Sequence, residues 1–396
     1  MRIPRSIVTL LLIAGMYSTC EAQDGLSGNG DEGELDTRTF AAIQMILLGS
    51  DASEICTESV DGDDTGHLQT VLDRGDDLSL CSGQTYELTD TLHYRANFQE
   101  IYTLGNPIAE SEQARLEWMS ENGSKIIRTI GLDGIRLHHV TIDGNRELFG
   151  LDEAVGDGMV ELLDARNAYI AFNHLKDPRT WTALHAYINC DGIRIEHNQI
   201  GPSRGGDGIS FECEDGEVAF NEVTDAGDGA IVLFGAAGSK VHHNVIRSVS
   251  NVLLGGINLV DPTFNYQGTE VYQNTIIAEG GRILVGIAMG PGVWGFTCGG
   301  EAIPLVEGAS VYANHLQGDQ FRFGYVLNGV RNFEFRDNTA DATFSGSPEG
   351  CAGNVATPRA FACQLETVND GVCPPGTDVI ERPENLDGVI FPTLMD

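Results

Sequence analysis

The stretch from Gly192 to Ile200, GIRIEHNQI, recurs in degraded copies through the middle of the chain. Aligned on their asparagines, the copies are IAFNHL (Asn173), IEHNQI (Asn198), VAFNEV (Asn221), VHHNVI (Asn244), VYQNTI (Asn274), VYANHL (Asn314) and FRDNTA (Asn338), with LHHVTI (Val140) as a divergent first member. The gaps between asparagines are 25, 23, 23, 30, 40 and 24 residues. A strand this short cannot bury its apolar edge alone. Repeated at this spacing with polar turns between, it must stack on its own neighbours.

The columns give the direction of each side chain. Three residues before the asparagine stand Leu137, Ile170, Ile195, Val218, Val241, Val271, Val311 and Phe335. Two residues after it stand Ile142, Leu175, Ile200, Val223, Ile246, Ile276, Leu316 and Ala340. Both positions must point inward. Four before it, at the opposite parity, stand Arg136, Tyr169, Arg194, Glu217, Lys240, Glu270, Ser310 and Glu334, so that side faces water. The asparagine is expected where the chain turns, because it tolerates unusual backbone angles and its amide can bond the next coil.

On these residues the chain resembles the right-handed parallel β-helices of the pectin-lyase-like superfamily, over roughly residues 63–340. The resemblance implies an all-β, single-stranded right-handed parallel β-helix with an N-terminal capping helix. Residues 1–22 read as a signal peptide, with Arg2 and Arg5 ahead of an apolar run and Cys20-Glu21-Ala22 at its end. Residues 23–62 form an acidic segment in which 37–48 has helical spacing, residues 63–342 the solenoid, and residues 343–396 a cysteine-containing extension packed on it. Within 63–92 an amphipathic helix over His67 to Asp73, a strand ending at Cys81 and a second strand are expected; the helix would plug the open end, where an exposed strand edge would invite pairing.

The formal net charge is −35, which argues against nucleic acid and anionic membranes as partners. It suits a solubilising surface, or one that divalent cations bridge to a ligand. No later stretch is long and apolar enough for insertion in a membrane, and a secreted monomer is expected. Setting Cys20 aside leaves eight cysteines, an even number suited to an oxidising compartment. Cys190 and Cys213 each lie eight residues before an asparagine, so they stand on adjacent coils about 5 Å apart and should be bonded. Proximity in sequence pairs Cys56 with Cys81, Cys298 with Cys351 and Cys363 with Cys373. Asn122-Gly123-Ser124 is a glycosylation sequon, meaningful in a eukaryotic chain.

Two coils are oversized. Their insertions, DPTFNYQG from Asp261 and GPGVWGFTCGGEAIPLVEG from Gly290, fall on one side and would wall a groove beside the flat sheet. Trp294, Phe296, Phe264 and Tyr266 either offer flat faces to sugars there or pack the loops. A second repeated element is Gly-Asp-Gly before an apolar strand, at Asp157, Asp207 and Asp228. Asp207 and Asp228 lie 21 residues apart, in near-equivalent register, so their carboxylates would stack roughly 5 Å apart and share a proton or a cation. Repetition in three coils argues instead for a turn-forming role, with Asp accepting backbone bonds and the glycines supplying positive φ.

Gly206-Asp207-Gly208-Ile209 is similar to part of the first polygalacturonase motif, Asn-Thr-Asp-Gly, and Gly227-Asp228-Gly229 keeps one acid of the second, Gly-Asp-Asp. Gly255-Gly256-Ile257 lacks the histidine and Arg282-Ile283-Leu284 the lysine of the remaining motifs. In the pectate-lyase-like families an arginine removes the proton beside a uronate while Ca²⁺ on acids neutralises its carboxylate; the usual signatures of those families are absent. Arg146, Arg179 and Arg204 share one offset from the turn, with Arg247 and Arg282 nearby, and form either a stripe that grips acidic sugar groups or a salt-bridge ladder.

His139, His197 and His243 alternate with Phe172 and Phe220 at one position, which reads as inward and stacked. His185 falls beside Glu161, Ser210 and Glu212 and faces outward if Ile209 and Phe211 face in; it is the best candidate for proton transfer. The sequence therefore predicts a secreted protein that cleaves an acidic polysaccharide, as lyase or hydrolase. Asp207, Asp228, His185 and Arg204 would carry the chemistry, and Arg146, Arg179, Glu212, Arg282 and Trp294 would hold substrate. Ca²⁺ on Asp207 and Asp228 is the one cofactor the sequence suggests. The alternative is a non-catalytic adhesion or glycan-binding β-helix.

Overall fold

The structure is a computed structural model that describes residues 55–152, 158–261, 265–295, 298, 305–347, 349–351, 353–368 and 371–390. The expected signal peptide, the helix over 37–48, Asp157, Phe264 and Phe296 lie outside the described residues. The chain from residue 54 onward is one compact unit. It is a right-handed parallel β-helix in which every named strand pairing is parallel, the hand expected of parallel crossover connections.

Each full coil contributes three short strands. The first face contains Arg136–His138, Tyr169–Ala171, Arg194–Glu196, Glu217–Ala219, Lys240–His242, Glu270–Tyr272, Ser310–Tyr312 and Glu334–Arg336, in a ten-stranded sheet. The second face follows the asparagine, with Val140–Asp143, His174–Lys176, Glu222–Thr224 and Val245–Ser248 among its strands. The third face holds Ile127–Ile130, Gly158–Leu163, Thr182–Tyr187, Asp207–Phe211, Gly229–Leu233, Val252–Leu259 and Arg282–Met289. At the amino-terminal end the helix Thr65–Asp73 begins two residues before its expected start and buries Leu68 and Leu72 against the first coils.

Both inward columns behave as the period-two pattern demands: from Leu137 to Val311 and from Ile142 to Leu316 every member is 2% exposed or less. In the last coil Phe335 and Ala340 are only partly buried. The asparagines form a continuous ladder. The Asn198 N–H donates to Asn221 Oδ1 at 3.0 Å, while Asn221 Nδ2 donates to Ile195 O at 2.8 Å and to Asn244 Oδ1 at 3.0 Å. The same pattern links Val140 through Asn338. Each amide thus closes a corner whose backbone groups would otherwise be buried unpaired, at ~1–3 kcal/mol per group.

The unusual backbone angle falls one residue earlier than expected. His139, Phe172, His197, Phe220, His243, Gln273, Ala313 and Asp337 have φ between 53° and 58°. That angle also reverses the expected direction of the His/Phe column: the rings stack at 4.9–5.0 Å, but on the outside, where His197, Phe220 and His243 are exposed.

Cys190–Cys213 pairs as its register suggested, and Cys56–Cys81, Cys298–Cys351 and Cys363–Cys373 pair as proximity in sequence suggested. Cys190 and Cys213 lie 4.7 Å apart at Cα. The extension beyond residue 343 does more than lie on the solenoid. Its strand Phe361–Gln364 pairs with Tyr325–Leu327 and continues the third face, followed by Asp378–Ile380.

Candidate functional site

Strand register places one outward row on the third face: Arg128, Glu161, His185, Ser210, Val232, Asn258, Ala288, Val326 and Ala362 are successive partners. The row changes character at Asn258. Beyond it, Ala288, Val326 and Ala362 belong to a second apolar cluster with Val293, Leu386, Val389 and Ile390, so the carboxy-terminal segment covers that half. The polar half is bounded by this cover and forms the candidate site.

His185 stands where the alternation put it, between Glu161 and Ser210, with Ile209 and Phe211 fully buried beneath. Its ring stacks on Tyr187 at 4.1 Å, and the Tyr187 hydroxyl donates to Glu161 Oε1 at 2.7 Å. Glu161 is fully buried and also meets Arg128 Nε at 2.6 Å and Lys125 Nζ at 3.4 Å. Two cations and a phenol compensate that carboxylate.

The aspartates are less symmetric than their spacing implied. Ile209 pairs with Ile231, so the coil offset is 22 residues rather than 21, and Asp207 stands opposite Gly229. The Gly229 N–H donates to Asp207 Oδ1 at 2.7 Å and the Ser210 hydroxyl to Oδ2 at 2.8 Å. A Cβ at Gly229 would stand 2.8 Å from Asn258 Nδ2 and 3.2 Å from Asp207 Oδ1, so this glycine leaves room for both side chains on one surface. Both aspartates are 3% exposed and Asn258 is fully buried. Asp228 Oδ1 and both amide atoms of Asn258 lack hydrogen-bond partners. Burial, then the neighbouring Asp228, drives Asp207 well above the usual carboxylate range; burial raises Asp228 to about 6. Protonated carboxyls near neutrality are suited to general-acid work.

At the far edge of the same strand, Glu212 lines an open cleft of about 540 Å³ with Arg166, Asn189, Asp191, Glu214, Phe234 and Asn265. Its carboxyl is raised by burial and then by Asp261. Asn265 comes from the insertion that follows Asp261, so that loop does form a wall. Its Tyr266 offers no face to a ligand: it is fully buried and donates from its hydroxyl to Leu233 O at 2.7 Å. Trp294 likewise packs against the second apolar cluster.

The arginines do not form a stripe. Arg179 is 3% exposed and donates to the carbonyls of Ser120, Glu121, Gly123 and Gly150, so its guanidinium fixes two loops instead of meeting a substrate. Arg204 pairs with Glu147 and, at 3.5 Å, with Asp177; Arg146 donates to Ser203 O at 3.2 Å. Arg247 joins Glu222 and Glu279, and Arg282 lies against Gly346. Among the described residues no arginine forms an ion pair with Asp207 or Asp228. Nor do the described residues bring together three His, Cys, Asp or Glu side chains that could hold a metal ion.

Sequence reasoning missed Trp181. It is 41% exposed and its carbonyl accepts the Asp207 N–H at 2.8 Å, which sets it at the edge of the aspartate pair. The available signal was its place immediately before Thr182, the register partner of Asp207.

No protein-family model and no curated protein matches the chain. Among solved structures it is similar to a single-substitution mutant of the tailspike protein of E. coli bacteriophage HK620 in complex with a pentasaccharide. Identity is 10%, the match covers 93% of this chain and 71% of that one, and the TM-score is 0.53. The catalytic unit of a thermostable alpha-1,3-glucanase from Streptomyces thermodiastaticus is similar at 14% identity, over 91% of this chain and 70% of that one, with a TM-score of 0.44. At these identities the likeness to the tailspike shows the fold alone.

Proposed function

We propose that the chain is a secreted, monomeric protein of the pectin-lyase-like kind that binds a polysaccharide across the polar half of the third face and hydrolyses it. The observation that carries the reading is the Asp207/Asp228 pair: two neighbouring carboxyls on adjacent coils, both raised, with Asp228 Oδ1 unpartnered. One of them, protonated near neutrality, would donate to the leaving glycosidic oxygen while the other remains ionised. His185 and Glu212 would contact the polymer on either side of Ser210, and Trp181 would offer it a flat surface. The pentasaccharide in the tailspike complex gives a precedent for glycan binding on this architecture.

Hydrolysis is preferred to β-elimination because elimination needs a base and a cation beside a uronate, and the arginines are committed elsewhere. The same charges favour a neutral or amino-bearing glycan over the acidic polymer that the sequence suggested. The open cleft sets Asp191, Glu212 and Glu214 against one arginine on a chain of net charge −35. Secretion is supported by the four disulfides and by the pattern of residues 1–22.

One observation favours the non-catalytic reading: both aspartates are 3% exposed and Asp207 already has partners for both oxygens. A turnover screen of the mature protein on neutral, amino-bearing and uronate polymers, following reducing ends and ultraviolet absorbance with and without chelator, decides between them. Reducing ends without absorbance, unaffected by chelator and abolished in Asp228→Asn, support hydrolysis. Binding without turnover on every polymer supports the alternative.

A further inference from the structure

We infer that the adjacent pair His242 and His243 forms a binding site for a divalent transition-metal ion of the copper(II) or nickel(II) type, with a more enclosed copy at His138 and His139. The site lies at the corner between the first and second faces, away from the proposed glycan surface.

The positive φ of His243, 53°, turns its ring back onto that of His242, and the two Nδ1 atoms meet at 2.9 Å. At His138 and His139 the same turn, φ 56°, brings the Nδ1 atoms to 3.0 Å. Two imidazole nitrogens this close need a proton or a cation between their lone pairs. In both copies a glutamate from the preceding coil engages the other nitrogen of the first histidine: Glu217 Oε1 lies 2.8 Å from His242 Nε2, and Glu100 Oε2 3.3 Å from His138 Nε2. A carboxylate there fixes the N–H on Nε2 and leaves Nδ1 free to donate its lone pair, the outer-shell arrangement seen around metal-bound histidines.

The rings are held in place before any ligand arrives. His242 stacks on Tyr272 at 4.7 Å and His243 on Phe220 at 4.9 Å. The His138 ring stacks on Tyr102 at 5.3 Å and His139 on Phe172 at 4.9 Å. His243 is exposed, so water can complete the coordination shell.

The spacing selects among metals. With metal–nitrogen bonds of about 2.05 Å, two nitrogens 2.9 Å apart subtend an angle of about 90°, whereas a tetrahedral centre would hold them about 3.3 Å apart. Right-angled coordination by imidazole is the preference of tetragonal copper(II) and nickel(II) rather than zinc. Neighbouring coils carry Ala219-Phe220 and Tyr272-Gln273 at the same two positions, so the histidines are not a requirement of the turn.

The test is a titration of the full mature chain with copper(II) alone, followed by calorimetry and by electron paramagnetic resonance. Wild type should bind copper with superhyperfine coupling to two imidazole nitrogens. The variant His242→Tyr/His243→Phe uses residues that sibling coils already hold, and should lose that ion. Glu217→Gln leaves both ligands in place and should weaken binding by about 10- to 100-fold. Wild-type affinity and stoichiometry in the double variant, or a spectrum without two coupled nitrogens in wild type, overturns the inference. Should the double variant fail to fold, an unchanged affinity in Glu217→Gln does so.

Discussion

Replacing Asp207 by asparagine separates a catalytic carboxyl from a turn-forming one, because the two roles move stability in opposite directions. Both aspartates have folded pKa values above the ordinary 3.8, Asp228 at about 6. A carboxyl raised in the folded state contributes stability that is fully present below the unfolded pKa and is lost as pH rises through the folded one. For Asp228 that window runs from 3.8 to about 6. About two pK units at ~1.4 kcal/mol each give ~3 kcal/mol at most. Asparagine at 207 keeps an acceptor for the Gly229 N–H and turns an amide toward the Ser210 hydroxyl, while removing a buried ionisable group beside Asp228. Thermal melts across that window and on to neutral pH should therefore show Asp207→Asn at least as stable as wild type near neutrality, with a shallower decline as pH rises. Turnover should fall by about 10²- to 10⁴-fold, the scale of a lost general acid. A melting temperature lowered at every pH, with turnover intact, would refute the reasoning and return Asp207 to a structural role.

Asn221→Ala removes the acceptor for the Asn198 N–H and the donor to Ile195 O, both buried, and should lower stability by ~2–4 kcal/mol in a denaturant titration. Arg179→Met leaves carbonyls of Ser120, Glu121, Gly123 and Gly150 short of a donor and should cost ~3 kcal/mol or more; the folded fraction should keep wild-type KM, since this arginine does not face the polymer. Glu212→Gln removes a raised carboxyl from the open cleft, and steady-state kinetics should show KM rising several-fold with kcat little changed; an equal fall in kcat and kcat/KM would instead make Glu212 the acid.

The solenoid was legible in the sequence because its constraint is local and repeated. Each inward residue, from Leu137 to Leu316, is fixed by parity relative to one asparagine, and the Cys190–Cys213 bond follows from the same count. Where that logic failed, a single backbone angle intervened. The positive φ before each asparagine moves the His/Phe column from the inside to the outside of the corner, and parity alone cannot register such a reversal. The arginines failed for a different reason. A common offset gives the position of a Cα, but a long side chain takes its direction from whatever carbonyls and carboxylates lie within reach. Those of Arg179 and Arg204 come from loops about 30 to 60 residues away in sequence.

The candidate site depends on both kinds of information. Alternation placed His185 between Glu161 and Ser210 correctly, because those neighbours are set by the coil period. The one-residue difference between Asp207 and Asp228 changes their chemistry, since it puts Gly229 rather than a second carboxylate opposite Asp207. That glycine donates its N–H to Asp207 and has no Cβ to displace Asn258. The pair is therefore inequivalent: Asp207 has partners for both oxygens, while Asp228 keeps one oxygen unpartnered and a pKa of about 6. An acid/base couple needs such a division: Asp207, pushed well above the usual carboxylate range by burial and by Asp228, holds the proton, while Asp228, at about 6, ionises first. A turn-forming repeat would give equivalent aspartates, so the conservative variants Asp207→Asn and Asp228→Asn should differ in their effects on turnover.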